Sequence, residues 1–268
     1  DKSLEELSKM DYREVAYQVM KLMLTDFTEE ELRHCINSAY DSKFDTKEIA
    51  PLVHKAGAYY LELFHGATIA FKDMALQCLP HFFSASAAHL REQGKLNNTF
   101  LILVATSGDT GKAALEGFRD KDGIQIAVLY PDGGVSDIQY KQMATQQGEN
   151  VMVWAVEGNF DDCQTGAKAV FSDEAFASHL MDEHHIALSS ANSINWGRLL
   201  PQVVYYVSSY AELVAQGKLE AGQPLDVCVP TGNFGNILAA WYAKQIGTPL
   251  GTLFCASNEN RVLADFIN

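Results

Sequence analysis

Residues 100–111 have the sequence Phe-Leu-Ile-Leu-Val-Ala-Thr-Ser-Gly-Asp-Thr-Gly and contain the clearest signal of the fold. Its first seven residues form a continuous apolar run, which is typical of a strand that is buried on both faces. A turn of small and polar residues follows directly, and a helix is predicted over 112–119. An apolar strand that leads through a short turn into a helix is the repeating unit of a parallel sheet.

The same alternation of apolar strands and helices extends along most of the chain. The predicted strands are 59–63, 100–106, 124–130, 151–156, 225–229 and 252–256. The predicted helices are 70–93, 112–119, one that starts at 136, 161–176, 193–216 and 237–246. Residues 3–40 are predicted to be helical because their apolar residues recur at helical spacing, and Thr28 opens a capping box.

This pattern predicts an α/β fold with three layers, in which helices cover both faces of a parallel sheet. We expect a helical N-terminal region over 1–58 and a lobe over 59–190. Residues 191–268 are expected to form part of a second lobe. Ligands of such folds bind at the carboxyl ends of the strands, so the turns after the strands are the candidate functional sites.

The composition narrows the function classes. With 268 residues and 47% hydrophobic residues, the chain can bury a sizeable core. Its net charge of −14, without a basic cluster, argues against nucleic acid and anionic membranes as partners. No apolar run is long enough to span a bilayer, and no histidine or cysteine spacing resembles a zinc site. The five dispersed cysteines predict reduced core thiols in a cytoplasmic protein. The chain starts without a methionine and stops near a predicted helix start, so we expect a piece of a longer protein.

Lys72 is the first candidate for chemistry. It follows Leu63–Phe71, a nearly uncharged stretch, whereas a surface helix places its lysines among polar residues. Apolar surroundings disfavour the ammonium form, which frees the amine to act as a nucleophile or base, as a Schiff-base lysine must. On its own, this pattern also fits a lysine that extends from a buried helix start to solvent.

Two glycine-containing turns are candidate anion sites. The turn Thr106–Gly111 precedes a helix and offers backbone N–H groups and hydroxyls to a carboxylate or phosphate. It is not a nucleotide P-loop, because a threonine takes the place of the first glycine and Ala113 takes that of the last hydroxyl residue. The turn Pro230–Asn236 has two glycines spaced to fold the backbone around a phosphate, and it lacks the dinucleotide fingerprint. Ordinary capped or tight turns are the alternatives.

A third stretch, Asn192–Arg198, opens the long helix predicted over 193–216. Its amides lie next to Trp196 and could line a pocket, with Asn195 as a candidate for substrate binding. Capping of the helix by Asn192 or Ser193 explains the same residues equally well.

The order of these motifs is that found in fold type II pyridoxal-phosphate enzymes, which have a tryptophan synthase β-like fold. A lysine flanked by apolar residues comes first, a Ser-Gly-x-Thr-Gly turn follows, and a glycine-rich turn comes late in the chain. Phe64–Asp73 closely resembles the threonine synthase signature. Four further stretches, 105–111, 157–162, 192–196 and 230–236, also resemble that family, so the likeness extends over nearly the whole chain.

The resemblance implies specific roles. Lys72 would form a Schiff base with pyridoxal phosphate, and Phe71 would lie at the cofactor. The residues implied for the cofactor phosphate are Gly232, Asn233, Phe234, Gly235 and Asn236. Those implied for the substrate carboxylate or the phenolic edge of the cofactor are Ser107, Gly108, Asp109 and Thr110. Asp109 stands where cysteine synthases carry asparagine, which favours threonine synthase among these relatives.

The implied reaction converts O-phospho-L-homoserine and water to L-threonine and phosphate. Two departures from the family are visible: Ala67 stands in place of a usual proline, and family members extend well beyond Asn268. We therefore expect this chain alone to be weakly active or inactive. The alternatives are a related phospho-lyase, a serine/threonine dehydratase or cysteine synthase, and a non-catalytic domain that retains the fold.

Overall fold

The computed structural model describes residues 2–193, 195–230, 232–259, 261 and 265–266. The helices are α1 (Leu4–Leu7), α2 (Tyr12–Met20), α3 (Glu29–Ala39), α4 (Asp73–Leu76), α5 (Leu79–Glu92), α6 (Asp109–Phe118), α7 (Asp137–Ala144), α8 (Phe160–Ser172), α9 (Glu174–His184), α10 (Trp196–Ala215) and α11 (Gly235–Gln245). The strands are β1 (Leu52–Lys55), β2 (Ala58–Leu61), β3 (Thr99–Ala105), β4 (Ile124–Pro131), β5 (Val151–Val156), β6 (Ile186–Ser189), β7 (Leu225–Pro230) and β8 (Leu250–Ala256).

The central sheet is parallel throughout, as the apolar runs predict. Its strand order is β5-β4-β3-β6, so β3 lies between β4 and β6. Alternate residues of β3 enter two different cores. Ile102 and Val104 pack with the buried face of α6, whereas Leu103 packs with Ala127 of β4 and Ala167 of α8. Helices therefore cover both faces of the sheet, which confirms the three-layer α/β prediction.

A second, smaller parallel pair is formed by β7 and β8, which α11 connects. Helix α10 lies against α11 and is buried along most of its length. The N-terminal helices α2 and α3 contribute to the same large core as α10 and α11. The division of the chain near residues 58 and 190 stays a prediction, but the N-terminal helices do share their core with the second lobe.

The region before Lys72 differs from the prediction of one strand over 59–63. Strands β1 and β2 instead form an antiparallel hairpin, with Val53 opposite Tyr60. Its turn residues Ala56 and Gly57 both have positive φ, 50° and 79°. This is the backbone of the two-residue turns that match the twist of a hairpin. Because residue 56 is alanine and not the usual asparagine or aspartate, the turn of the hairpin could not be recognised from the sequence.

Two helices predicted as continuous are each broken in two. The predicted helix 70–93 consists of α4 and α5, because Pro80 is accommodated only in the first turn of a new helix. The predicted helix 161–176 ends at Ser172, where Asp173 caps α9 by accepting a hydrogen bond from the amide of Phe176 at 2.9 Å. The short strand β6 was not predicted, because four residues are too few to show periodicity.

The prediction that all five cysteines are core thiols is wrong for Cys228, whose side chain is exposed on β7, and Cys255 is only partly buried. The other three are buried: Cys35, Cys78 and Cys163. The capping box predicted at Thr28 is confirmed, since its side chain and that of Glu31 each bond the other residue's backbone amide. Within the described ranges, no helix combines the length and apolar character needed to cross a membrane.

Candidate active site

A cleft of about 590 Å³ lies at the carboxyl ends of β3 and β7. Its wall includes residues of the two glycine-containing turns, of α8, of the start of α10 and of the segment after β8. Six of the predicted site residues line this cleft: Lys72, Ser107, Thr110, Gly232, Asn233 and Phe234. Residues that lie far apart in the sequence thus meet where a parallel sheet is expected to bind its ligand.

Lys72 stands immediately before α4, and its amine reaches into the cleft. Burial lowers the pKa of this amine, and the positive charge of Arg198 lowers it further, whereas Asp109 opposes both effects. A lowered pKa increases the fraction of neutral amine, the form that attacks a carbonyl or accepts a proton. The ammonium also lies 5.7 Å from the ring centre of Phe71, which is itself exposed and not among the lining residues.

A buried carboxylate fixes the loop that carries Lys72. Asp73 is fully buried and accepts hydrogen bonds from the amide and the hydroxyl of Thr68, both at 2.8 Å. Gly66 is required next to this carboxylate, because a Cβ there would lie 2.6 Å from the Cβ of Asp73. Ile69, between them, has a φ of 60°, which is unusual for a β-branched residue. The signature sequence therefore encodes a rigid loop that sets the direction of Lys72.

The turn Thr106–Gly111 is organised around a buried threonine. The hydroxyl oxygen of Thr106 accepts hydrogen bonds from the amides of Gly108 at 3.0 Å and Gly111 at 2.8 Å. Ser107 and Thr110 then face the cleft. Asp109 points elsewhere, since its carboxylate accepts a hydrogen bond from Gln139 of α7 at 2.7 Å, and the Cα of Gly108 lies against the same glutamine. Of the four residues predicted here for substrate binding, two line the cleft.

The second turn presents its backbone to the cleft. Phe234 has a left-handed φ of 63°, and α11 begins at Gly235 without a side-chain cap. Its first amides are therefore free to bind an anion. A Cβ on Gly232 would meet no atom within 4 Å, so space for a ligand lies in front of that residue. Thr231 lies outside the described residues.

The side chains of Asn236 and Asn195 are engaged in the protein rather than in the cleft. Asn236 accepts hydrogen bonds from the hydroxyls of Tyr205 at 2.7 Å and Tyr206 at 2.5 Å. Asn195 caps α10, because its side-chain oxygen accepts a hydrogen bond from the amide of Gly197 at 2.9 Å. The prediction that Asn192 or Ser193 caps this helix is therefore wrong, since both of them line the cleft, and the role of Asn195 in substrate binding stays a prediction.

Arg198 is a cleft residue that sequence reasoning missed. It is only 6% exposed, and its guanidinium donates to the carbonyl of Ala191 at 2.9 Å. Burial lowers its pKa to about 10. The signal that could have identified it is a lone arginine in the first turn of an otherwise apolar helix. Folding directs this residue inwards, toward Lys72.

The charge of the cleft is opposite to that of the whole chain. Four cationic side chains line it: Lys72, Lys168, Arg198 and Arg261. Among the described lining residues there is no aspartate or glutamate, although the chain as a whole carries a net charge of −14. A concentration of positive charge within an acidic protein indicates an anionic ligand.

Comparison with known proteins agrees with these features. Residues 1–40 match the family model described as threonine synthase N terminus. The chain is 50% identical to human threonine synthase-like 1 over 248 residues, which is 90% of this chain and 32% of the relative. It is 39% identical to threonine synthase from Saccharomyces cerevisiae over 271 residues, 97% of this chain and 50% of the relative.

The fold matches solved structures over similar lengths. A pyridoxal-phosphate-bound threonine synthase from Brucella melitensis superposes with a TM-score of 0.85 at 36% identity and covers all of this chain, which spans 55% of that protein. An O-ureido-L-serine synthase shares the fold alone, with a TM-score of 0.53 at 15% identity over 85% of this chain and 65% of its own length.

These findings define the class: the chain has the fold of the fold type II pyridoxal-phosphate enzymes, with a lysine-containing cleft at the carboxyl ends of its strands. Within that class it is a relative of the threonine synthases, as the motifs predicted. The chain spans between about a third and about a half of the length of the curated relatives it matches.

Proposed function

We propose that the protein to which this chain belongs is a pyridoxal-phosphate-dependent threonine synthase, which converts O-phospho-L-homoserine and water to L-threonine and phosphate. One observation carries the proposal: Lys72 and two anion-binding turns face one cationic cleft, in a chain about 40% identical to threonine synthases. Its substrate is then a small molecule with two anionic groups.

The residues of the cleft fit the cofactor. The uncapped start of α11 and the open space at Gly232 suit a phosphate held by backbone amides. Lys72 supplies the amine that holds the cofactor aldehyde. Asn236 would act indirectly, by fixing the start of α11 through Tyr205 and Tyr206. When bound, pyridoxal phosphate supplies an electron-withdrawing ring that makes the Cα proton of the substrate acidic.

The chain's own residues then position the substrate and move protons. The hydroxyls of Ser107 and Thr110 orient the substrate carboxylate beside the amides of their turn. The Lys72 amine, whose pKa is lowered by burial and by Arg198, removes a proton from Cα and one from Cβ, and it returns protons to Cγ after phosphate has left and to Cα after water has added. Phosphate leaves from Cγ and water adds at Cβ. The cationic side chains of the cleft stabilise the negative charge that accumulates on the leaving phosphate.

A related phospho-lyase is the second candidate. The chain is more similar to threonine synthase-like 1, at 50% identity, than to the threonine synthase of S. cerevisiae, at 39%, so threonine is not the only product to test for. Such an enzyme would release phosphate from a phosphorylated amino compound without making threonine. A dehydratase or cysteine synthase would act on an unphosphorylated amino acid, and a non-catalytic domain would have no use for Lys72.

The first test is attachment of the cofactor. The chain is incubated with pyridoxal phosphate, reduced with borohydride and mapped by mass spectrometry. A visible absorption band that is reduced onto Lys72, and not onto the nearby Lys112, supports the cofactor and the folded cleft together. Loss of the modification in Lys72→Arg is the matched control. Absence of the band in this chain and in the full-length parent would contradict the proposal.

The second test is product analysis with O-phospho-L-homoserine. L-Threonine with inorganic phosphate supports threonine synthase, whereas 2-oxobutyrate with ammonia supports the phospho-lyase. Activity of this chain is expected to be weak or absent beside that of the full-length parent. The unpaired cysteines support a reducing compartment, so we also propose a cytoplasmic location.

A further inference from the structure

One face of α8 forms a wall of the cleft that Lys72 also lines. Its lining residues recur at intervals of three and four, as residues on one helix face do: Phe160, Gln164, Ala167, Lys168 and Phe171. None of them was assigned a role from the sequence. This helix face is therefore a part of the site whose function is still open.

The face is anchored to the sheet at its centre. Ala167 is only 7% exposed and packs with Leu103 of β3 and Ala127 of β4. Gln164 and Lys168 lie one helical turn apart on either side of this anchor, so their side chains are neighbours. Packing of the alanine thus fixes the helix that presents an amide and an ammonium to the same part of the cleft.

Lys168 differs from the other cations of the cleft in having no assigned partner. Arg198 donates to the carbonyl of Ala191, and Arg261 pairs with Asp265 at 3.2 Å. Lys72 is occupied by the cofactor in the proposed function. Lys168 is exposed and forms no ion pair with any carboxylate in the described part of the chain. Its charge is therefore available to a ligand.

The proposed reaction requires a third place for an anion. The turn at Gly232 takes the cofactor phosphate, and the turn at Ser107 takes the substrate carboxylate. The substrate phosphate is a further dianion, and the walls that remain, α8, the start of α10 and the segment after β8, carry Lys168, Arg198 and Arg261. We propose that Lys168, together with the amide of Gln164, binds the phosphate group of the substrate and sets the preference for phosphorylated over unphosphorylated amino acids. This role rests on the proposed function.

Calorimetric titration of the chain saturated with pyridoxal phosphate tests the role. The ligands are O-phospho-L-homoserine and L-homoserine, which differ only in the phosphate. Lys168→Gln is expected to weaken binding of the phosphorylated ligand about 10- to 100-fold, the range for a lost hydrogen bond to a charged group. Binding of L-homoserine should stay within about threefold, because its contacts do not include the lysine.

Two further variants separate charge from structure. Lys168→Arg keeps the positive charge and should restore most of the affinity for the phosphorylated ligand. Lys218→Gln removes an exposed lysine that follows α10, away from the cleft, and should bind both ligands as the unchanged chain does. The preserved absorption band of each cofactor-loaded variant reports that the cleft is intact.

The outcomes are distinguishable. Equal affinity of Lys168→Gln and the unchanged chain for O-phospho-L-homoserine, or an equal loss for both ligands, overturns the role of Lys168 alone. If the unchanged, cofactor-loaded chain and its full-length parent each bind the two ligands equally well, or each bind neither, the proposed substrate is wrong and the role of Lys168 fails with it.

Discussion

Gly117→Ala should disturb the site indirectly, by forcing apart the helices α4 and α6, which are in contact. Gly117 lies near the end of α6, and a Cβ there would approach the carbonyl oxygen of Leu76, at the end of α4, to 2.1 Å. Because this oxygen belongs to the backbone, no side-chain movement can relieve the overlap. Restoring a 3.4 Å contact requires the two helices to separate by about 1.3 Å, the difference between 3.4 and 2.1 Å.

The expected change in stability is the difference of two terms. Overpacking of this kind destabilises by about 1–3 kcal/mol, with a backbone overlap near the upper end. Alanine in place of glycine within a helix returns up to about 1 kcal/mol. We therefore expect a net loss of about 1–2 kcal/mol in the free energy of unfolding, measured by urea denaturation.

The same separation should affect chemistry, because α4 follows Lys72 directly and α6 begins within the turn that carries Ser107. A misplacement of about 1 Å between reacting groups can lower a rate about 100-fold. Reduction of the cofactor onto Lys72 should therefore be slower or incomplete in Gly117→Ala, as quantified by mass spectrometry.

Gly166→Ala is the matched control. Gly166 lies within α8, has no atom within 4 Å of a built Cβ, and does not line the cleft. This substitution should raise the free energy of unfolding by up to about 1 kcal/mol and leave cofactor attachment unchanged. If Gly117→Ala is as stable as Gly166→Ala and is modified equally at Lys72, the argument from helix contact is refuted.

Three other predictions follow from the geometry of the site. Thr106→Val should lower the free energy of unfolding by about 1–3 kcal/mol in urea denaturation, since two backbone amides of its turn lose their acceptor, whereas Thr106→Ser should restore most of it. Burial lowers the pKa of His65, but its two carboxylate partners outweigh that effect and raise the pKa above 6.5. The contribution of His65 to stability is therefore complete below pH 6.5 and is lost as pH rises through the raised pKa. His65→Gln should flatten that part of a melting-temperature profile, and an unchanged slope would contradict the assignment. Gly232→Ala should leave the melting temperature of the cofactor-free chain unchanged, because a Cβ there meets no atom. The same Cβ would fill the space of the cofactor phosphate, so the affinity for pyridoxal phosphate should fall about tenfold or more in a spectroscopic titration. Unchanged affinity would place the phosphate elsewhere.

The parts predicted well from sequence are those in which local pattern and tertiary environment agree. Strand β5 has the predicted bounds, and β3 and β4 differ from prediction by one residue at their ends. The central strands β3 and β4 are buried between helices and need apolar residues at most positions, so their sequences are sufficient to identify them, whereas β5 lies at the edge of the sheet and is only partly buried. The hairpin β1–β2 was mispredicted because its outer face is exposed and Ala56 is a poor turn signal.

In the candidate site, too, some features could be predicted from the sequence and others could not. The types of residue that chemistry needs, a lysine after an apolar stretch and glycine-rich turns after strands, are visible in the sequence and identify the class of enzyme. Which side chains face the cleft is not visible. Asp109 turns to Gln139 and Asn236 to two tyrosines, whereas Arg198 and Lys168 turn inwards.

The layered α/β fold, the likeness to threonine synthases and the candidacy of Lys72 follow from the sequence alone, because each depends on residue types in a local order. The electrostatic character of the cleft follows from the tertiary structure. Charges from α8, α10 and the segment after β8 are brought together by packing of distant elements, and the energy between charges depends on distance and burial rather than on sequence separation. That is why an acidic chain can hold a basic, carboxylate-free cleft in its described part.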